Sequence, residues 1–146
     1  MKIKLKINSL RKTELFDAIK NDQYIEVDND YQFIILEYGA KIVGYKGPQL
    51  FEIHYDDIIC FESLGNDVYI KTVDEKYLIK DRLYRIEERF HKYDFLRVNK
   101  SYVINMKKIK SIYPLINSKF ILTMVDKTEI DVTRTYYRIF KEKVGI

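Results

Sequence analysis

Apolar and charged positions alternate from the first residue. In MKIKLKI, Ile3, Leu5 and Ile7 stand against Lys2, Lys4 and Lys6, which predicts a half-buried strand. SLRKTELFDAIKN then sets Leu15, Phe16 and Ile19 at helical spacing and predicts a short amphipathic helix. YIEV and YQFIILEY read as two strands around the polar turn DND. GAKIVGYKGPQL reads as strand and turn and holds Gly39, Gly44 and Gly47, so the one plausible boundary falls there. Residues 1–48 are therefore expected to form a small βαββ extension, and residues 49–146 the main domain.

From Gln49 the pattern shortens into a run of strands. LFEIHYDDIICFES predicts two, broken at Asp56 and Asp57, and LGND a tight turn. VYIKTV and YLIK alternate on either side of DEK, as a hairpin does. DRLYRIEERFHKY is the clearest helix, with Asp81 as its expected cap and Leu83, Ile86 and Phe90 on one stripe. FLRV, KSYVINM, IKSIYPL, KFILTMV and TEIDVTR predict further strands. TYYRIFKEKVGI closes with a helix: Thr133 is the expected cap, Tyr136, Phe140 and Val144 share a face, and Gly145 marks the stop. The fold class expected is mainly β (α+β).

Composition agrees. Tyr and Phe number 13 and 8 in 146 residues, and such side chains favour strands over an all-helical bundle. Hydrophobic residues make up 47 %, enough to drive a core rather than disorder. Cys60 is the only cysteine, so no intrachain disulfide and no multi-cysteine metal site can form, and a reducing cytoplasm is the expected compartment. The N-terminal alternation lacks the continuous apolar core of a signal peptide or membrane helix.

Catalytic signatures are absent. His54 and His91 have no partner at metal-ligand spacing and read as structural and solvated, respectively. Cys60, inside IICF, reads as a small buried hydrophobe. Asp56 and Asp57, read on a strand, would point to opposite faces and could not work as a pair. No enzyme activity, cofactor, metal or small-molecule substrate is expected.

Charge is what changes the picture. From Leu96 to Val125 the chain has six basic residues, Arg97, Lys100, Lys107, Lys108, Lys110 and Lys119, and no acid. Elsewhere the balance is nearly even, with 26 Lys and Arg against 22 Asp and Glu overall. A run of this kind can be an ordinary solvated sheet face. Its segregation from the acids, and its interleaving with Asn99, Ser101, Asn105 and Ser111, suit phosphate contact and the reading of base edges. Asn105, between Ile104 and Met106, is better read as holding a turn.

FLRVNKSYVINMKKIKSI resembles the signature of the LytTR-type DNA-binding domain. DDIICFESLGNDVYIKT resembles that family's opening strands, DRLYRIEERF its inner helix, and TEIDVTRTYYRIFKEKVG its closing strand, Thr-Arg turn and last helix. These motifs span about residues 49 to 145 in the family's order. The resemblance implies an elongated multi-sheet sandwich of short antiparallel strands. It implies a sequence-specific transcription regulator whose loops read the major groove of double-stranded DNA, on direct-repeat sites and with DNA bending. Base contacts carry over to Lys100, to Arg134, and to Asn66 or Asp67; backbone contacts carry over to Arg97, Ser101 and Thr133, with Lys107, Lys108 and Lys110 meeting phosphate. An acid at Asp67 departs from what a phosphate-facing loop needs, unless it accepts from cytosine. The chain resembles the short LytTR regulators that lack a receiver domain. By that resemblance residues 1–48 serve dimerisation, giving a homodimer, or contact an inhibitory membrane protein encoded alongside; equally, they could only complete the core. The rival reading is an RNA- or protein-binding β module that uses the same basic face.

Overall fold

The computed structural model describes residues 41–146, together with the backbone of two strands, β1 (Gln23–Val27) and β2 (Phe33–Glu37). These two pair antiparallel, Ile25 opposite Ile35, as the alternation in YIEV and FIILE predicts. The expected strand at residues 1–7, the helix at 9–21 and the DND turn lie outside the described residues.

The compact unit Ile42–Ile146 is built on a seven-stranded sheet. Its strands are β3 (Lys41–Lys46), β4 (Gln49–His54), β5 (Cys60–Leu64), β6 (Asp67–Lys71), β7 (Lys76–Ile79), β8 (Phe95–Arg97) and β9 (Tyr102–Asn105), in the order β4-β3-β7-β6-β5-β9-β8. A second sheet has the order β10-β11-β12, from β10 (Ile109–Leu115), β11 (Lys119–Met124) and β12 (Glu129–Val132). Two helices complete it, α1 (Leu83–Phe90) and α2 (Arg134–Val144). β3 enters the large sheet beside β7, and only glycine fits at position 44. A Cβ there would stand 2.6 Å from the Tyr77 Cβ and 2.8 Å from the Ile53 Cδ1.

Alternation along the strands divides the core in two. Phe61, Val68, Ile70 and Val103 turn to one face, where α1 lays Leu83, Ile86 and Phe90. Phe61, Phe90 and Phe95 meet there with ring centroids 5.1 to 5.6 Å apart. The neighbouring residues Cys60 and Ile104 turn to the other face, against Leu122, Met124, Ile130, Val132 and Phe140. The α2 stripe packs as expected: Phe140 is buried, and Tyr136 and Val144 flank it. Phe120 of β11 stacks on Tyr137 at 4.8 Å and so seats α2 on the small sheet.

Three local expectations need correction. Arg82, not Asp81, occupies the cap position of α1; the Asp81 carboxylate accepts only the adjacent Arg82 N–H, at 2.8 Å. Thr133 does stand at the α2 cap position, but its hydroxyl caps nothing; its backbone N–H donates to the Val98 carbonyl at 3.0 Å. Asp56 and Asp57 lie in a single 3-10 turn, Tyr55–Asp57, not on a strand. The α2 stop is as read: Gly145 has φ +81°, the left-handed conformation that glycine adopts without cost.

Candidate nucleic-acid interface

Strand register decides which loops meet. Leu64 pairs with Asp67, so Gly65 and Asn66 form a two-residue hairpin turn between β5 and β6. Gly65 has φ +63°, which such turns require at this position. Glu62 pairs with Tyr102, so the loop before β9 lies at the same end of the sheet as that turn. The Ser63 N–H donates to the Ser101 carbonyl at 2.7 Å and locks the two together. Phe120 pairs with Val132, and the Thr133 N–H donates to the Val98 carbonyl at 3.0 Å, so β12 delivers Thr133 and Arg134 to this end as well. The strand order β6-β5-β9 makes these loops neighbours, with about 5 Å between adjacent strands.

The loop 97–101 is tied from within. Asn99 Oδ1 accepts from the N–H groups of Ser101 and Tyr102 at 2.8 and 2.9 Å, and its Nδ2 donates to the Asp131 carbonyl at 2.8 Å. One side chain thus folds the loop and attaches it to β12. Arg97 turns back on the same loop, donating to the carbonyls of Asn99 and Lys100 at 3.1 and 2.9 Å and pairing with Glu87 at 3.5 Å. Lys100 is left exposed at the tip. An open cleft of about 540 Å³ has Lys100, Ser101, Thr133 and Arg134 in its wall, with Lys119 and Asp131 beside them. Residues that are 34 positions apart in the chain, Lys100 and Arg134, so share one site.

Glu62 supports this floor. It accepts from the Tyr102 hydroxyl at 2.6 Å and pairs with Lys76 at 2.7 Å. Burial works to raise the Glu62 pKa, but the hydrogen bonds from Lys76 and Tyr102 outweigh it and hold the carboxyl below its ordinary range. Burial and the same bond to Glu62 push the Tyr102 hydroxyl up.

The basic stretch is divided, not continuous. β9 carries the chain from the Lys100 loop to the other end of the sheet, where Lys107 and Lys108 sit in the 3-10 turn Met106–Lys108. At about 3.3 Å per residue, Lys107 and Lys100 are on the order of 20 Å apart. Lys107 there stands 5.8 Å from the Tyr55 ring, and Lys110 follows on β10 near the Ile109–Met124 pair. The structure brings Lys100, Ser101, Thr133 and Arg134 together, puts Asn66 on the adjacent turn with Asp67 beside it at the start of β6, and leaves Lys107, Lys108 and Lys110 apart from them.

Two asparagines in the basic stretch serve the backbone. Asn105 is 1 % exposed, donates to the Ile58 carbonyl at 2.9 Å and accepts from the Lys107 N–H at 3.1 Å, the turn-holding duty read from sequence. Asn99, whose residue type among the lysines suits base-edge reading, builds the loop instead, a role that no local pattern signals. Lys119 joins the cleft wall from β11, and nothing in the sequence tied it to Lys100. Cys60 is fully buried, and burial pushes its thiol up to about 12, so it behaves as a core side chain. Among the described residues no group of three His, Cys, Asp or Glu side chains could hold a metal ion, and no helix is long and apolar enough to cross a membrane.

A family model described as LytTr DNA-binding domain matches residues 49–145. A sensory transduction protein LytT of Bacillus subtilis (strain 168) is 36 % identical over 106 residues, 73 % of this chain and 44 % of that protein. The LytT protein of Bacillus anthracis is 31 % identical over 94 residues, 64 % of this chain and 38 % of its own length. The chain thus spans less than half of these longer relatives. An uncharacterized HTH-type transcriptional regulator of Staphylococcus aureus (strain bovine RF122 / ET3-1) is 28 % identical over 148 residues, 94 % of this chain and 100 % of that protein. In fold, the LytTr DNA-binding domain of a putative methyl-accepting/DNA response regulator from Bacillus cereus aligns with TM-score 0.69 at 22 % identity, covering 73 % of this chain and 97 % of that one. The described helices do not form a helix-turn-helix pair, since five strands, β8 to β12, separate α1 from α2.

Proposed function

We propose, for a chain that belongs to the LytTR family of DNA-binding domains, that it regulates transcription by reading duplex DNA with the loop end of its seven-stranded sheet. The observation that carries this reading is the convergence of Lys100 and Arg134 on one cleft, fixed by the Asn99 bridge between loop and β12. Two rigid mounts bring two exposed cations to one cleft. Lys100 rides a loop held by two hydrogen bonds that Asn99 accepts and one that it donates, and Arg134 begins a helix seated by Phe120 and Phe140. Arg and Lys both fit the O6 and N7 acceptors of guanine, which are presented in the major groove.

The remaining contacts follow from position. Asn66, at the tip of its turn, suits adenine; Asp67, one residue on, would repel phosphate and is tolerated only opposite a cytosine amine. Ser101 and Thr133 line the same cleft and suit phosphate oxygens. Arg97 acts on DNA through the loop it folds. Lys107, Lys108 and Lys110 reach a duplex only if it bends or runs along the sheet toward their end, so their contribution reports bending. Paired direct-repeat sites, a homodimer, and a partner for residues 1–48 extend the same proposal to the whole protein.

The test is binding of the full chain to duplexes selected from random sequence, against scrambled and single-stranded controls. Arg134→Ala and Lys100→Ala should each cost roughly 1–3 kcal/mol on the selected duplex and relax preference at one position, with little change on the scrambled one. Equal loss on both duplexes would reduce these residues to phosphate contacts. Tighter binding to the single strand would favour the RNA-binding alternative.

A further inference from the structure

A second set of cations flanks the Asn66 turn. Ile79 pairs with Val68, so the chain leaving β7 emerges at the loop end of the sheet, beside the start of β6. There Lys80, Arg82 and Arg85 line an open cleft with Asn66, Asp67 and Asp81. All three cations are exposed, and none enters an ion pair among the described residues. Several cations of this fold are paired instead: Lys46 with Glu75 at 2.6 Å, Lys71 with Asp126 at 3.2 Å, Lys76 with Glu62 at 2.7 Å. The Asp81 carboxylate is partly spent on the Arg82 N–H, and Lys80 rests 4.9 Å from the Tyr45 ring.

The order β7-β6-β5-β9 puts this cluster and the Lys100 loop three strand spacings apart, about 14 Å. That is about four base-pair steps of a duplex. The cations are therefore in reach of the backbone of a duplex already held at Lys100 and Arg134. We propose that Arg82 and Arg85, with Lys80, bind backbone phosphates on the β7 flank of the Asn66 turn and extend the footprint by several base pairs on that side. Guanidinium groups suit this because they take phosphate oxygens two at a time. Asp67 and Asp81 share the cleft, and the three cations outnumber them. The proposal rests on the reading that duplex DNA meets the loop end.

The experiment compares the full chain with its Arg82→Gln/Arg85→Gln variant on a selected duplex, a scrambled duplex, and selected duplexes shortened from either flank. The variant should weaken binding to both full-length duplexes alike. Its slope of log K against log salt should be shallower by about two, since each phosphate contributes roughly 0.9. The wild type should lose the same affinity when one flank is removed, and the variant should be indifferent to that removal. Both side chains are exposed, so matching thermal melts verify the fold; Lys80→Gln gives a second variant, with a slope change of about one. Unchanged slope and affinity in a folded variant would overturn the clamp while leaving the DNA reading intact. Loss on the selected duplex alone would also overturn it, since that is base readout. A wild type that binds no duplex would instead refute the DNA reading, and the clamp with it.

Discussion

Asn99→Ala is the substitution whose effect can be worked out most fully. It removes two acceptor bonds, from the Ser101 and Tyr102 N–H groups, and one donor bond, to the Asp131 carbonyl. Each such bond is worth about 0.5–1.5 kcal/mol net. The site is half-buried, so water replaces part of what is lost, and a total of about 2–3 kcal/mol follows. For a unit of this size that lowers the melting temperature by about 10 °C or more. The same bonds set the separation of Lys100 and Arg134, so discrimination between selected and scrambled duplex should fall even at temperatures where the variant is fully folded. Asn99→Asp separates the two effects. Its carboxylate still accepts from Ser101 and Tyr102, but it cannot donate to Asp131 and faces that carbonyl with like polarity. The loop should stay folded while its tether to β12 is lost. The Asp variant should therefore keep most of the stability and still lose discrimination. Urea denaturation gives the first quantity, and anisotropy titration with both duplexes gives the second. If Asn99→Ala kept the wild-type midpoint and the wild-type preference, the account of the loop would be wrong.

Two further outcomes are expected. A fragment of residues 42–146 should be more stable than one of residues 49–146, because β3 contributes Ile42 to the core and covers Tyr77 at Gly44; equal urea midpoints would show that β3 is dispensable. Stability should decline in acid as Glu62 and Asp126 protonate. Both have folded pKa values below their ordinary ones: burial opposes this, but Lys76 and Tyr102 bind Glu62, and Thr128 and Lys71 bind Asp126. The unfolded chain then takes up protons first, so their contribution is complete above the ordinary carboxylate range and disappears as pH falls through the folded values. Glu62→Gln should flatten the acid limb of a stability–pH curve, and an unaltered limb would argue against Glu62.

Local pattern was sufficient for most of the secondary structure. Period-two alternation located β6 and β7, and the stripe Leu83, Ile86, Phe90 located α1, because burial of one face is a constraint that neighbouring residues express by themselves. It also identified Gly145 and the turn-holding Asn105. The family resemblance, carried by contiguous motifs, reached the fold and the DNA-binding class for the same reason. What the sequence could not supply was pairing. The six cations between Leu96 and Val125 look like one patch in a linear reading, yet a four-residue strand sends Lys100 and Lys107 to opposite ends of the sheet. Arg134 and Lys119 reach the Lys100 cleft only through the register of β11 and β12. Lys80, Arg82 and Arg85, hidden among the acids of residues 52–94, come to the loop end only because Ile79 lies opposite Val68. The α1 cap was misread by a single position: Asp81 has the right chemistry one residue before Arg82, which occupies the cap. Alternation and helical stripes are short-range and can be read from neighbours, whereas the interface depends on hydrogen-bond partners tens of residues apart, which only the folded sheet determines.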